Sequence, residues 1–450
     1  MNATLKPILT GFLFFIVANP LLGNDVRVVE KDSVKTGYVD AYSGATKQNV
    51  GGPSAPSRFE VSGYGTINYH NYTRFDTDKY QTNKFDFERL SIYLNYLIND
   101  WMKLKAEFEF EHGGTGASME FDSQEEAGEF EVEVEQGGEA KLERLYLEML
   151  LHPMANLRVG RFKLHIGSAQ TLDRPTQYFT VTRQEMENTL LPLGWYENGI
   201  QLFGSFLDRR FDYELSVSTG LDATGFSSRN WIKNGYQTRF EMPVAESMAY
   251  SGRLDYHYSE YKDDFMGVSA YFNNTTKNRP KKDMENTPGN LFLCEGHFSL
   301  NRPNWRLNTV LLWGTLQNSN LISRKNASLS NRLQVKRTPV GHQALGFSLE
   351  VGYNVLNLFK LNTKQSLFAF GRYDFYDTMY KVEGLVAKRP RWKRNTYTFG
   401  LNWFLNKNVV FKAEYQDRVF GSRRIDRVTS KDLGGHQHET AINIGMGYSF

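Results

Sequence analysis

The sequence predicts an all-β fold, a transmembrane antiparallel β-barrel of about 16 strands, from three observations. Apolar and polar residues alternate over segments of about ten residues from Arg58 to the last residue. Very short turns alternate with long polar loops along the same region. Aromatic residues make up 14% of the chain, with 25 Tyr, 32 Phe and 7 Trp, the bias produced by rings at two membrane interfaces.

The alternation is plainest at the C-terminus. Ile442, Ile444, Met446, Tyr448 and Phe450 fall on one face, suited to lipid, and Asn443, Gly445, Gly447 and Ser449 on the other, suited to water. In 103–111, Leu104, Ala106, Phe108 and Phe110 alternate with Lys103, Lys105, Glu107, Glu109 and Glu111, a face too charged for a dry core. Tyr397 to Leu405 and Phe411 to Gln416 repeat the pattern. Short turns are expected at Asn99-Asp100, Pro153 to Ala155, Asp208-Arg209, Lys262-Asp263, Arg302 to Asn304 and Asn406 to Asn408, on the periplasmic side. Long outer loops are expected near 73–82, 113–140, 166–197, 221–246, 275–289, 317–341, 377–393 and 420–437. Counting between them gives 16 strands; 18 is the competing count, because Tyr236 to Met242 reads either as an extra strand or as loop.

An open sheet edge in hydrocarbon would cost several kcal/mol per unpaired backbone group, so such a sheet must close. A barrel this wide is expected to hold water unless a loop or domain plugs it. With mean hydropathy −0.51, nothing beyond the N-terminus approaches the roughly 20 apolar residues of a spanning helix. At the N-terminus, Lys6, the apolar stretch Ile8 to Ala18 and the small Gly23 fit a secretory signal peptide over 1–23. Residues 24–57, polar and rich in Gly, Pro, Ser and Thr, are expected to be a disordered periplasmic segment, leaving 58–450 for the barrel.

The net charge of +3 arises from 53 basic and 50 acidic side chains, which excludes the global field of a nucleic-acid binder. The single Cys294 allows neither an intramolecular disulfide nor a cysteine metal cluster, and suits a buried or lipid-facing position. Candidate lumen bases from the alternation are Arg89, Lys103, Lys105, Arg144, Arg158, Lys163, Arg253, Arg372 and Lys412, interspersed with Glu107, Glu109, Glu111, Glu148, Asp255, Asp374 and Glu414. Neighbouring opposite charges would cancel much of the field, so a weakly selective channel stands beside an anion-selective one. Residues 113–139 carry nine carboxylates and no Lys or Arg, readable as a divalent-cation site or, in preference, as a solvated acidic hairpin. Lys388, Arg389, Arg391, Lys393 and Arg394, with Trp392, form a basic cluster suited to lipopolysaccharide phosphates or to plain solvent. His70, His112, His257 and His297 lie on strands without a serine motif, which disfavours an enzyme. No cofactor or metal is indicated. Long outer loops leave an adhesin open as an alternative.

Several segments resemble the phosphate-selective porin O and P family of bacterial outer-membrane channels. They are Leu157 to Ile166 (LRVGRFKLHI), the third long loop with Arg183 and Leu191-Pro192, Trp195 to Gly204 (WYENGIQLFG), Arg372-Tyr373-Asp374, Thr398 to Val409 (TFGLNWFLNKNV) and the terminal Phe450. His165 stands where the family usually has proline. The resemblance implies a trimeric outer-membrane porin embedded among lipid and lipopolysaccharide, with Phe450 read by the barrel-assembly machinery. It also implies that loop 166–197, with Asp173, Arg174, Arg183, Glu185 and Glu187, folds into the lumen as a constriction, a reading favoured over an exposed loop. Lys163, Arg174, Arg183 and Arg372 are then the first candidates to touch permeating anions, with Lys103, Lys105 and Arg158 behind them.

Overall fold

The computed structural model describes residues 58–74, 83–114, 138–192, 194–237, 242–261, 263–329, 337–359, 363–423 and 437–450. Sixteen antiparallel strands close into one barrel in chain order. They are β1 (Phe59–Arg74), β2 (Lys84–Asn99), β3 (Met102–Glu111), β4 (Glu139–His152), β5 (Ala155–Lys163), β6 (Tyr196–Phe206), β7 (Phe211–Ser218) and β8 (Ala249–His257), followed by β9 (Phe265–Asn274), β10 (Asn290–Asn301), β11 (Trp305–Leu316), β12 (Gln343–Asn354), β13 (Ser366–Lys381), β14 (Lys393–Asn406), β15 (Val409–Phe420) and β16 (His438–Ser449).

The alternation sets every strand's two faces. On β14, Tyr397, Phe399, Leu401 and Trp403 are exposed on the outer wall, while Thr396, Thr398 and Asn402 are buried inside. Cys294 is exposed on the outward face of β10 between Phe292 and Gly296. The seam joins β1 to β16: the Phe450 N–H donates to the Gly63 carbonyl at 2.9 Å and the Gly63 N–H to the Phe450 carbonyl at 2.9 Å. A Cβ on Gly63 would lie 2.6 Å from the Phe450 ring and one on Gly65 2.5 Å from Tyr448 Oη, so glycine here gives the terminal aromatics their seats on the outer wall.

The count of 16 holds, and 18 does not. Residues 218 and 249 are paired directly across β7 and β8, and Tyr236 and Gln237 lie in the intervening loop after two 3-10 turns, Ala223–Gly225 and Lys233–Gly235. Residues 238–241 of that alternative strand lie outside the described residues, as do residues 1–23, where a signal peptide is expected, the segment 24–57 and most of the acidic stretch 113–139. The expected short turns fall at the joints β2/β3, β4/β5, β6/β7, β8/β9, β10/β11 and β14/β15. The joint β12/β13 adds a short 3-10 helix, Val355–Phe359.

The expectation of water inside the barrel is conditional on no loop plugging it, and loops occupy part of the interior. Leu291, Leu293, Leu312 and Leu316 point inward yet are fully buried, in one core with Met186, Leu190, Trp195, Leu221, Trp231 and Ile232 from two loops. The loop between β5 and β6 and the loop between β7 and β8 fold into the barrel and pack against its inner wall. The inward face of β16 likewise meets protein: a Cβ on Gly447 would lie 2.4 Å from Pro175, and one on Gly445 2.9 Å from Val181.

Candidate pore-lining site

The loop 164–195 crosses the barrel from the β5 wall to the β12–β16 wall, and two carboxylates anchor it. Asp173 accepts from Tyr64 Oη at 2.9 Å, Lys163 Nζ at 2.6 Å and Arg89 Nη1 at 3.2 Å, and pairs with Arg183 Nη2 at 2.8 Å. Burial pushes its carboxyl up, but Lys163 and Arg89 outweigh that and hold it below the usual carboxylate range. At the far end Glu185, opening the short helix Glu185–Leu190, accepts from Arg418 Nε at 2.6 Å, Tyr376 Oη at 2.5 Å, Thr396 at 3.0 Å and Gln416 at 3.0 Å. Burial opposes its ionisation, yet Arg418 prevails and draws the carboxyl down to about 2.

Between these anchors the barrel wall binds the loop's backbone. Lys412 Nζ donates to the Tyr178 and Thr180 carbonyls at 2.9 and 2.8 Å, Asn402 to the Phe179 carbonyl at 2.9 Å, and Glu414 accepts from the Val181 N–H at 2.8 Å. Phe179 stacks on Phe370 with centroids 5.2 Å apart and presses on β12 where a Cβ at Gly352 would lie 2.3 Å away. Within the loop, Glu187 accepts from the Ser168 N–H at 2.7 Å and the Ala169 N–H at 3.0 Å. Gly167, at φ 89°, leaves the space that its oxygen occupies. Burial, reinforced by the nearby Glu295, pushes the Glu187 carboxyl up to about 7.

A cavity of ≈ 30 Å³, room for a water or two, remains between this loop and the wall of β2–β5. Its lining includes four bases, Arg144, Arg158, Lys163 and Arg174, and two carboxylates, Glu107 and Asp173, a formal excess of two positive charges with His165 neutral. Burial holds the His165 imidazole below its ordinary value.

The sequence-derived candidates therefore separate. Lys163, Arg174 and Arg158 converge on the cavity, and Arg183 reaches the same Asp173 as Lys163. Arg158 also binds Glu148 at 3.0 Å and Glu214 at 3.1 Å, and Lys105 binds Glu148 at 2.9 Å. Lys103 sits partly exposed near the short-turn end of β3. Arg372 lies apart, its side chain 1% exposed between Glu350 at 3.1 Å and Asp374 at 2.6 Å. The basic cluster after β13 does not form one surface patch: Arg391 and Arg394 are buried against the Phe420 ring, and Lys388 pairs with Asp377 at 3.1 Å. His297 is held by Asp255 at 2.7 Å and Glu295 at 3.0 Å, while Ser269 donates to Glu295 rather than to the imidazole.

Sequence reasoning missed the clamp residues Tyr64, Tyr376, Arg418 and Phe179. For Tyr64 and Tyr376 the signal was an oddity of face, large aromatics on the polar side of the alternation where water was expected, an oddity shared by Phe368 and Phe370; Arg418 and Phe179 carried none.

No family model matches the chain. A protein of Aquifex aeolicus (strain VF5), described as uncharacterized, is 26% identical over 373 residues, 81% of this chain and 78% of that one. Among solved structures, the chain is similar to the outer membrane channel DcaP of Acinetobacter baumannii, with TM-score 0.50, 9% identity and coverage of 87% of this chain and 97% of that one. It is also similar to the anion-selective porin from Comamonas acidovorans, with TM-score 0.48, 12% identity and coverage of 87% and 99%. Closed topology and apolar outer wall together define the chain as a 16-stranded barrel of the outer-membrane porin fold.

Proposed function

We propose that the protein is an outer-membrane porin through which small hydrophilic solutes diffuse passively, with a preference for anions imposed where loop 164–195 meets the β2–β5 wall. The carrying observation is the set of four bases on the cavity wall, Lys163, Arg174, Arg158 and Arg144, which face Asp173 and Glu107, with Glu148 and Glu214 behind Arg158. In a site walled by protein, fixed charges act on an ion with less screening than in bulk water, so the bases that face the cavity act on it more directly than the carboxylates behind them. The phosphate-selective porin resemblance, assembly as a homotrimer among lipid and lipopolysaccharide, and delivery to the assembly machinery through Phe450 belong to the same reading.

A second reading has an observation of its own. The inner wall is packed rather than open, which favours a surface barrel or adhesin acting through its loops. One experiment separates the two: single-channel conductance and reversal potential of the refolded protein in a planar bilayer under a salt gradient, with phosphate and an organic anion added as blockers. Discrete steps with anion preference support the porin, and block by phosphate supports the specific form. A folded, heat-modifiable barrel that passes no current would remove the transport reading and leave the surface one.

A further inference from the structure

The loop between β7 and β8, residues 219–248, contributes Leu221, Ala223, Phe226, Trp231 and Ile232 to the core inside the barrel. Its apex is Trp231, fully buried, with the indole N–H donating to the Gly341 carbonyl at 3.1 Å. The inner wall is shaped to receive it: a Cβ on Gly314 would lie 2.3 Å from the Trp231 ring, and Leu293 flanks the same position. Ser228 fixes the approach, its N–H donating to Thr338 Oγ1 at 3.0 Å and its carbonyl accepting from the Thr378 hydroxyl.

Like loop 164–195, whose flanking Lys163 and Tyr196 are paired to each other, this loop leaves and re-enters the wall at a closed pair, Ser218 and Ala249, so every bond of the β7–β8 ladder forms without it. Its Trp231 end is seated by apolar contact and neutral hydrogen bonds, with Arg161 donating to Tyr236 Oη at 2.7 Å and Arg337 to the Thr224 carbonyl at 3.2 Å on either side, whereas loop 164–195 is tied down by carboxylates shared among several bases. Apolar contact is non-directional, so the seat of the Trp231 ring demands no fixed polar partner beyond the indole N–H.

We propose that the segment 219–237 of this loop is a built-in plug of this barrel, with Trp231 as its keystone, and that the solute path widens when Trp231 leaves its apolar cup on β10–β12. The role as a gate rests on the porin reading; the role as a plug does not.

The test uses the full chain with Cys294→Ser as background and Ala344→Cys as a reporter, because Ala344 is fully buried on the inner wall within the same core. With the native loop, a membrane-impermeant maleimide should label Cys at 344 slowly. Trp231→Ala should accelerate labelling about tenfold or more and enlarge the single-channel step about twofold or more, since the vacated cup adds an aqueous path. Gly314→Leu, which keeps the tryptophan but fills its seat, should do the same and carries the test if Trp231→Ala loses its heat-modifiable fold. Rapid labelling with the native loop, or unchanged labelling in both folded variants, would overturn the plug. Faster labelling with no current before or after the substitution would uphold the plug and instead remove the porin reading.

Discussion

The inner walls of β1–β5 and of β9–β12 face the same interior and are filled in opposite ways. On β1–β5 the inward side chains are mostly charged or phenolic, and the loop reaches them through one carboxylate, Asp173, shared among Lys163, Arg89, Arg183 and Tyr64. On β9–β12 the outer half of the wall is leucine, valine and glycine, and the loops reach it through Trp231, Met186 and Leu190. An ion-paired wall releases a loop only at the cost of stranded charge, while an apolar wall releases it for the cost of wetting. The contrast assigns stiffness to one side of the barrel and mobility to the other.

Breaking the charged side should have the largest effect. Asp173→Ala leaves Lys163, Arg89 and Arg183 without their common acceptor in a buried setting, a loss of about 3–5 kcal/mol in the seating of loop 164–195. Trypsin should then cut after Arg183, which the native loop keeps buried, and anion preference should rise with one carboxylate gone. Undiminished protease resistance would mean that the hub at Glu185 alone holds the loop.

Much of this was legible in the sequence, for a physical reason. The period of two reports directly which way a side chain points, so the barrel, its 16 strands and the inward placement of Arg89, Lys105, Arg158 and Arg372 all follow from it. What the period does not report is what a side chain meets once it points inward. Gly445 and Gly447 read as a water face and proved to be seats for Val181 and Pro175. The filling was foreshadowed where alternation fails: Leu291-Phe292-Leu293 on β10 and Val310 to Trp313 on β11 are apolar on both faces, as a strand between lipid and a packed interior must be. The partners of Asp173 and Glu185 were not legible, because they join residues far apart in the chain, Tyr64 with Asp173 and Glu185 with Arg418.

The next largest effect concerns pH, and it pits the two carboxylates of the short helix against each other. Glu187, raised to about 7 from an ordinary 4.5, is favoured in its protonated form by the folded loop. Its contribution is complete below about pH 4.5 and is lost as pH rises through 7, on the order of 3 kcal/mol over that span. Glu185, drawn down to about 2, behaves oppositely: its contribution is present above about pH 4.5 and disappears as pH falls toward 2. Loop 164–195 should therefore be held tightest near pH 4 to 5, with protease sensitivity and current noise rising on either side. Glu187→Gln keeps an acceptor for the Ser168 and Ala169 N–H groups and cannot ionise, so the rise on the alkaline side should vanish while the acid side is unchanged. Persistence of the alkaline rise in that variant would place the titrating group elsewhere.

The smallest effect tests where the solute path runs. Arg174 lines the cavity and Arg372 does not, although both were candidates on sequence grounds. Arg174→Gln removes one of four cavity bases and lowers the formal excess from two to one, a change of about 1 kcal/mol or less for an ion passing nearby in a hydrated site. The reversal potential under a salt gradient should move modestly toward cations with little change in single-channel conductance. Arg372→Gln should leave the reversal potential where it was and instead lower thermal stability, because Glu350 and Asp374 lose the guanidinium between them. The opposite pattern, selectivity following Arg372 and ignoring Arg174, would move the path across the barrel to the β12–β13 wall and make the charged side the sealed one.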